Sequence, residues 1–218
     1  MRKRRLPPPE YWSRSAAEFD AIYTRNKGRF AVWLDSVLRR DMFERYEFAL
    51  AACRPVEGRT FLDVGCGTGL YSLALARENA AKVVGVDFSG EMVRICRDRA
   101  GAEGLKNAEF IQGDILALDR PGVFDVSLAV GLFDYTQDPA AVLRKIRSLT
   151  REKIIASFPR AGTLRAFLRR IRLARRCFAV YFYGREEVRS LLIAVEFEVR
   201  DFRRLGQLFC LECVRRAK

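Results

Sequence analysis

Hydrophobic and polar positions follow two different periodicities along this chain. Between residues 30 and 53, apolar side chains recur three and four positions apart, the spacing of one helix face. The run Arg54-Pro55-Val56-Glu57-Gly58 then breaks the helical pattern. From residue 60 onward, short apolar runs alternate with segments of helical spacing. The change predicts a basic arm with a helical cap over residues 1–55 and a separate α/β domain over residues 56–218.

The second part alternates strands with helices. The predicted strands are Thr60–Val64, Lys82–Val86, Ala108–Gln112, Phe124–Val130, Lys153–Phe158, Phe197–Arg203 and Leu208–Arg215, and the predicted helices are Leu70–Asn79, Glu91–Ala102, Pro139–Leu149 and Glu186–Ala194. Strands separated by helices pair in parallel through right-handed crossovers. The Leu205-Gly206 pair predicts a hairpin that makes the last strand antiparallel. We expect a three-layer α/β sandwich whose seven-stranded sheet is mostly parallel, with an Arg-rich insert over residues 159–184.

The composition is that of a globular protein and excludes several kinds of chemistry. Half of the 218 residues are hydrophobic, and no stretch is long and apolar enough to span a bilayer. The basic start lacks the apolar segment of a secretory signal, and six scattered cysteines imply no disulfide framework, so we expect a cytoplasmic protein. The chain has no histidine. Its absence excludes histidine-based nucleophilic catalysis and most zinc sites, and we expect no metal.

One stretch carries the strongest chemical signal, Phe61-Leu62-Asp63-Val64-Gly65-Cys66-Gly67-Thr68-Gly69. An apolar strand ends near an acidic residue, and a glycine-rich turn then opens a helix. Glycines permit a close backbone approach to a ligand, and free amides at a helix start favour an anionic group. The spacing G-x-G-x-G differs from the dinucleotide fingerprint G-x-G-x-x-G. It resembles the first motif of the class I S-adenosylmethionine (SAM)-dependent methyltransferases.

Three further segments stand where that family has its other motifs. They are Val83–Asp87, Gln112–Ile115 and Phe124–Val130. The resemblance implies that SAM is the cofactor and S-adenosylhomocysteine the product. It implies that the glycine loop holds the aminoacyl end, Asp87 the ribose and Asp114 the adenine amino group. The cofactor-binding residues implied in this way are Asp63, Gly65, Cys66, Gly67, Gly69, Asp87, Phe88, Met92, Asp114, Ile115, Val130 and Tyr23, the last in a lid helix. Packing within the second helix is an equal alternative for Phe88 and Met92.

Methyl transfer needs a general base only when the acceptor is protonated at the working pH. Asp134 and Tyr135 follow the fourth strand and are the candidate catalytic residues, while Tyr181, Tyr183 and Arg169 of the insert are candidate substrate contacts. Two alternatives stay open. For Asp134, the alternative is that it caps a loop and that the acceptor arrives already ionised. For Arg169, the alternative is that the arginines around it belong to an ordinary surface helix.

The net charge of +13 is concentrated near the C-terminus, where residues 151–218 hold 17 Lys and Arg against 7 Asp and Glu. Such a field attracts an acidic small molecule, an anionic membrane surface or RNA. The N-terminal helices and the segment Tyr181-Phe182-Tyr183 are similar in layout to methyltransferases of tetrapyrroles and quinones. We therefore expect a small acidic or apolar acceptor in a cytoplasmic enzyme, with peripheral membrane attachment as an alternative. An RNA methyltransferase and a non-catalytic cofactor-binding module are the competing interpretations, and the oligomeric state is not indicated.

Overall fold

The computed structural model describes residues 40–119, 122–163 and 179–216. The helices are α1 (Arg40–Cys53), α2 (Leu70–Arg77), α3 (Gly90–Ala102), α4 (Pro139–Ser148) and α5 (Arg185–Ala194). The strands are β1 (Thr60–Val64), β2 (Lys82–Asp87), β3 (Ala108–Gln112), β4 (Phe124–Ala129), β5 (Thr150–Pro159), β6 (Phe197–Leu205) and β7 (Leu208–Arg215). Helix-capping side chains fix two of these helix starts, since Ser89 accepts from the amide of Met92 and Asp138 from that of Ala141.

The strands form one seven-stranded sheet in the order β3-β2-β1-β4-β5-β7-β6. β1 to β5 pair in parallel, and β7 lies antiparallel between β5 and β6. Chain order reverses between β1 and β4, so the loops after these two strands diverge and leave a crevice at their carboxyl ends. The predicted fold class is confirmed, including the antiparallel last strand and the hairpin at Gly206.

Helices cover both faces of the sheet and give three layers. α1 and α2 pack on one face, where Phe48 and Leu75 meet Phe61 of β1. α4 and α5 pack on the other face, where Ile146 and Leu192 join a separate apolar cluster. α1 thus belongs to the core of the sheet domain, although it lies within the predicted cap. The boundary near residue 55 stays a prediction, and residues 1–39 lie outside the described residues.

Element bounds differ from the predictions in a few places. The prediction that the first helix after the glycine loop runs to Asn79 is wrong, because it ends at Arg77 and Asn79 takes a left-handed φ of 60°. β5 is longer than predicted and starts at Thr150, whose hydroxyl lies 2.6 Å from that of Ser127. β6 also continues to Leu205. Pairing across the sheet extends these strands beyond their apolar centres.

Candidate functional site

The glycine loop after β1 is hydrogen-bonded to β2 on one side and is open to the crevice on the other. The amides of Gly65 and Cys66 both donate to the carbonyl of Val86, at 2.8 and 3.1 Å, which ties the loop to β2. Gly65, Gly67 and Gly69 have φ values of 73°, 55° and 82°. At Gly67 no atom lies within 4 Å of the position a Cβ would take. The loop therefore presents bare backbone to the crevice, as a bound ligand requires.

Asp87 at the end of β2 faces the loop. Its Oδ2 accepts from the Gly67 amide and its Oδ1 from the Ser89 amide, both at 2.9 Å. Burial raises the pKa of this carboxyl, although the two amide hydrogen bonds favour the ionised form. Each carboxylate oxygen keeps one lone pair for a further donor. Asp87 can therefore hold the loop and still accept hydrogen bonds from a sugar hydroxyl.

Asp63 lies within β1, two residues before the first glycine of the loop. Its side chain is buried, and its Oδ2 accepts from the Ser72 hydroxyl of α2 at 2.6 Å. Burial raises the pKa of Asp63 to about 6, the bond from Ser72 opposes that shift, and the charge of Asp87 adds to it. No free surface remains for ligand contact. Asp63 orders the helix that follows the loop, and the sequence alone did not indicate its partner Ser72.

The side of the crevice near β2 carries the predicted adenine-covering residues. Phe88 is exposed, whereas Met92 is buried with α3. Cys66 is also buried beneath the loop, and Cys96 of α3 donates its thiol to the Gly67 carbonyl at 3.1 Å. The structure gives Met92 and Cys66 packing positions, whereas the ring of Phe88 lies at the surface beside the crevice.

The tip of β3 holds the two residues assigned to the adenine. Asp114 is exposed, and its Oδ1 accepts from the amide of Leu116 at 2.9 Å while its carbonyl accepts from Ala117 and Leu118. These bonds form one helical turn with Asp114 as its cap. Ile115 points inward and is buried. Asp114 keeps its second carboxylate oxygen, Oδ2, available for a donor such as an exocyclic amino group.

The loop after β4 forms the opposite wall of the crevice. Val130 is buried, and the amide of Gly131 donates to the Ser157 hydroxyl of β5 at 2.9 Å. Gly131 has a φ of 78°, and a Cβ on Gly65 would stand 3.0 Å from the Leu132 side chain. The two loops therefore touch. Neither the role of Ser157 nor the positive φ of Gly131 has a signal in local sequence spacing.

Asp134 and Tyr135 follow directly on this wall. Asp134 is 9% exposed and its backbone carbonyl accepts from the Tyr181 amide at 2.9 Å. Tyr135 is half-buried. The segment with Tyr181 thus lies beside Asp134. The structure brings the two predicted groups together at the carboxyl end of the sheet.

Tyr183 has a different position from the one its predicted role requires. It is 4% exposed, its hydroxyl donates to the carbonyl of Phe133 at 3.1 Å, and its ring packs edge-on against Phe158. Burial raises the pKa of its phenol above the ordinary value. Tyr183 fastens the post-β4 loop to β5, and Tyr181 stays a predicted substrate contact.

Some predictions lie elsewhere in the chain. Tyr23 and Arg169 are outside the described residues. Cys210 and Cys213 are buried in the clusters on opposite sides of the sheet, as expected for strand residues three apart. Within the described ranges no group of three or more residues is arranged to ligate a metal ion, and no helix there is long and apolar enough to cross a membrane.

The chain matches a known protein family. The family described as "Methyltransferase domain" matches residues 55–179, more than half of the chain. The chain belongs to the methyltransferase-domain family. The match spans the glycine loop, both crevice walls and the acids at 63, 87 and 114, and it confirms the family that the four motifs indicated.

Two ubiquinone biosynthesis O-methyltransferases are similar to this chain over about seven tenths of its length. The chain is 30% identical over 160 residues to the ubiquinone biosynthesis O-methyltransferase of Xanthomonas campestris pv. campestris (strain B100), with 73% of this chain and 62% of that protein covered. It is 31% identical over 156 residues to the protein of the same name from Xylella fastidiosa (strain 9a5c), covering 71% of this chain and 58% of the relative. The chain therefore spans about six tenths of the length of these relatives.

Solved structures share the fold over almost the whole chain. Magnesium protoporphyrin IX methyltransferase from Synechocystis PCC 6803, crystallised with S-adenosylhomocysteine, superposes with a TM-score of 0.77 at 20% identity and covers 95% of this chain and 97% of its own. The cyclase SpnF superposes with a TM-score of 0.73 at 18% identity, covering 98% and 99%. A methyltransferase and a cyclase thus share this architecture, so the chemistry has to be argued from the site.

Gly67 offers a direct test of the open loop. Gly67→Ala should weaken binding of S-adenosylhomocysteine about tenfold or more, because the new Cβ would fill the space above the loop. Gly58→Ala is the matched control, since Gly58 also has a positive φ of 74° and an open Cβ position but lies in the turn before β1. Both variants should lose about 1 kcal/mol of stability from the left-handed backbone. Calorimetric titration of both proteins decides, and equal affinities would contradict the loop's role.

Proposed function

We propose that this protein is a SAM-dependent O-methyltransferase acting on a small apolar acceptor with an acidic oxygen. The open backbone at Gly67, between the carboxylate of Asp87 and the loop after β4, is the observation that carries the proposal. The O-methyltransferase relatives support oxygen as the methylated atom. Their longer chains leave the acceptor itself to be found.

The residues present fit the cofactor. Bare amides of the glycine loop suit the carboxylate of its aminoacyl end. Asp87 would accept the ribose hydroxyls, Asp114 the adenine amino group, and Phe88 would cover the ring. When bound, SAM supplies a methyl group on a sulfonium that is already activated for displacement. The protein's main task is then to align the acceptor oxygen with that carbon, and alignment of this kind contributes about 7–11 kcal/mol in favourable model systems.

The acceptor oxygen would lie beside the loop after β4. Asp134 is the one carboxylate that the described part of this loop offers between Val130 and Gln137. It would take the proton of an acceptor hydroxyl, and Tyr135 and Tyr181 would line the same wall. Because the chain has no histidine, an oxygen of low pKa suits this site best. A phenol or a carboxylate meets that requirement.

Two other roles are compatible with particular observations. The similarity to a cyclase at almost full coverage favours a second candidate, a cofactor-binding module that transfers no methyl group. The balance of +10 over residues 151–218 favours RNA or an anionic membrane surface as a partner of the enzyme. Binding of either partner would be an additional property of the protein, and the crevice would still hold the cofactor.

The test combines binding with transfer. Calorimetry with SAM and S-adenosylhomocysteine measures cofactor binding, and radiolabelled SAM added to separated lipid, metabolite and RNA fractions measures transfer. We expect both cofactor forms to bind and the label to appear in alkali-sensitive or ether-linked small molecules. Tight binding without transfer to any fraction would favour the module. Label confined to RNA would overturn the small-molecule acceptor.

A further inference from the structure

Two arginines at the carboxyl edge of the sheet form no ion pair with an acidic residue of the described ranges. Arg160 follows β5, and Arg204 lies near the end of β6. At least nine of the seventeen other arginines in the described ranges form ion pairs, such as Arg203 with Asp201 at 2.8 Å. Within residues 40–119, 122–163 and 179–216, neither Arg160 nor Arg204 forms an ion pair with a carboxylate. The positive charges of both arginines are therefore available to pair with an anionic group from outside these residues.

The two arginines share one aromatic neighbour. Arg204 stands opposite Phe209 in the register of β6 and β7, so both side chains point to the same face of the sheet. The guanidinium carbon of Arg160 lies 5.6 Å from the centre of the Phe209 ring. Its Nη1 donates to the carbonyl of Gly206 at 2.6 Å, which fixes its direction. The charge of Arg160 thus lies over a buried ring, and Arg204 stands opposite the same residue on the neighbouring strand.

Convergence of like charges is unfavourable unless an anion joins them. Burial lowers the pKa of the Arg160 guanidinium, and the nearby charge of Arg204 lowers it further. A carboxylate placed between two guanidinium groups accepts charge-assisted hydrogen bonds from both and removes their mutual repulsion. Arginine suits this role because its N–H groups form a rigid fork. The pair has the composition of an anion-binding clamp.

The clamp lies at the same edge as the proposed acceptor position. Pro159, Leu208 and Leu205 are in register, so β5 and β6 end level with each other where β7 begins. β4 ends at Ala129, which pairs with Ala156, three residues before Pro159. In the sheet order, β7 lies two strands from β4. Two spacings of about 4.8 Å place Phe209 roughly 10 Å from the loop after β4. An acceptor of moderate length can span this distance.

We propose that Arg160 and Arg204 bind a carboxylate of the methyl acceptor, remote from the oxygen that receives the methyl group. The inference rests on the proposed function for the reacting end. The inference assigns a binding site to the other end of the substrate, the end that carries the carboxylate. The two arginines would then determine specificity for acidic acceptors. Arg185 and Arg189 stack on Phe202, whose ring lies 5.1 Å from that of Phe209, so these two arginines border the clamp on the same face of the sheet.

The experiment compares one acid with its neutral counterpart. Calorimetry on the full chain saturated with S-adenosylhomocysteine measures binding of 3-(3,4-dihydroxyphenyl)propanoic acid and of its primary amide. We expect the acid to bind about tenfold or more tightly than the amide, because the difference is a pair of charge-assisted hydrogen bonds. Arg160→Gln with Arg204→Gln should abolish that preference and leave the affinity for S-adenosylhomocysteine unchanged.

Arg203→Gln is the matched control. Arg203 is adjacent on the same strand but faces the other side, where it stacks on Phe48. Its variant should keep the preference for the acid. Restoring charge with Arg160→Lys and Arg204→Lys should recover part of the preference, since lysine keeps the charge without the fork. If the double Gln variant melts early, Arg204→Gln alone gives the measurement.

Several results would overturn the clamp. Equal binding of acid and amide, a preference that survives the double Gln variant, or no binding of the acid would each contradict it. Loss of binding to phosphatidylcholine vesicles containing phosphatidylglycerol, without any preference between acid and amide, would assign the pair to a membrane surface instead. These binding results do not depend on turnover. The failure of the clamp is therefore distinct from the absence of methyl transfer, which would contradict the proposed function.

Discussion

Replacing Asp134 by Asn should lower the rate of methyl transfer about 100-fold at neutral pH, while the affinity for S-adenosylhomocysteine stays unchanged. Asp134 is 9% exposed on the crevice wall beside the Tyr181 segment. An amide of the same shape preserves this packing but cannot take a proton from the acceptor. Steady-state kinetics with the acceptor found in the fractionation experiment measures the loss in kcat.

The control for Asp134 lies four residues further on. Asp138→Asn also removes a carboxylate, yet Asn caps a helix about as well, so the bond to the Ala141 amide is retained. This variant should keep its full rate. The deficit of the Asp134 variant should shrink as pH rises towards the pKa of the acceptor, because an ionised acceptor needs no base. A full rate at neutral pH would mean that the acceptor arrives ionised and that Asp134 is not the base.

Asp87→Ala should weaken binding of S-adenosylhomocysteine by about 1.5–3 kcal/mol, which is roughly 10- to 150-fold. The variant removes the acceptor of any ribose hydroxyl. It also frees the amides of Gly67 and Ser89, which Asp87 binds at 2.9 Å. Calorimetry measures the change, and Asp98→Ala, at an exposed carboxylate of α3, should leave affinity unchanged.

A double-mutant cycle separates the sugar from the loop. Binding of 2′-deoxy-S-adenosylhomocysteine is measured with the parent protein and with Asp87→Ala. If Asp87 contacts the ribose, the losses from the missing hydroxyl and the missing carboxylate should not add. Additive losses would restrict Asp87 to ordering the glycine loop. Unchanged affinity in the variant would remove Asp87 from the binding site altogether.

The fold and the cofactor side of the crevice were predictable because their signals are local. An apolar run followed by G-x-G-x-G specifies a strand, a tight turn and a helix within a single stretch. In a parallel sheet the acids at the strand ends, Asp87 and Asp114, must then lie at one edge. The bounds of β3 and β7 were predicted without error for the same reason, since each strand is flanked by clear turns.

The acceptor side was less predictable because it is built from residues far apart in the chain. Tyr183 is of a residue type that suits a substrate contact, but it is buried by packing against Phe158 and by its hydrogen bond to the carbonyl of Phe133. Local spacing carries no information about such a contact. The same limit applied to Ser157, whose hydroxyl holds the Gly131 amide only because β4 and β5 are neighbours.

The sequence by itself determined the family, the alternation of strands and helices, and the edge of the sheet at which the crevice lies, since periodicity and glycine spacing are properties of short segments. Only the tertiary structure decided that Asp87 secures Gly67, that Tyr183 is buried and that Arg160 and Arg204 both lie beside Phe209. Arg160 and Arg204 lie 44 positions apart, and the register of β5, β7 and β6 is what brings them together. Register depends on the whole sheet, because each strand is aligned by its neighbours on both sides.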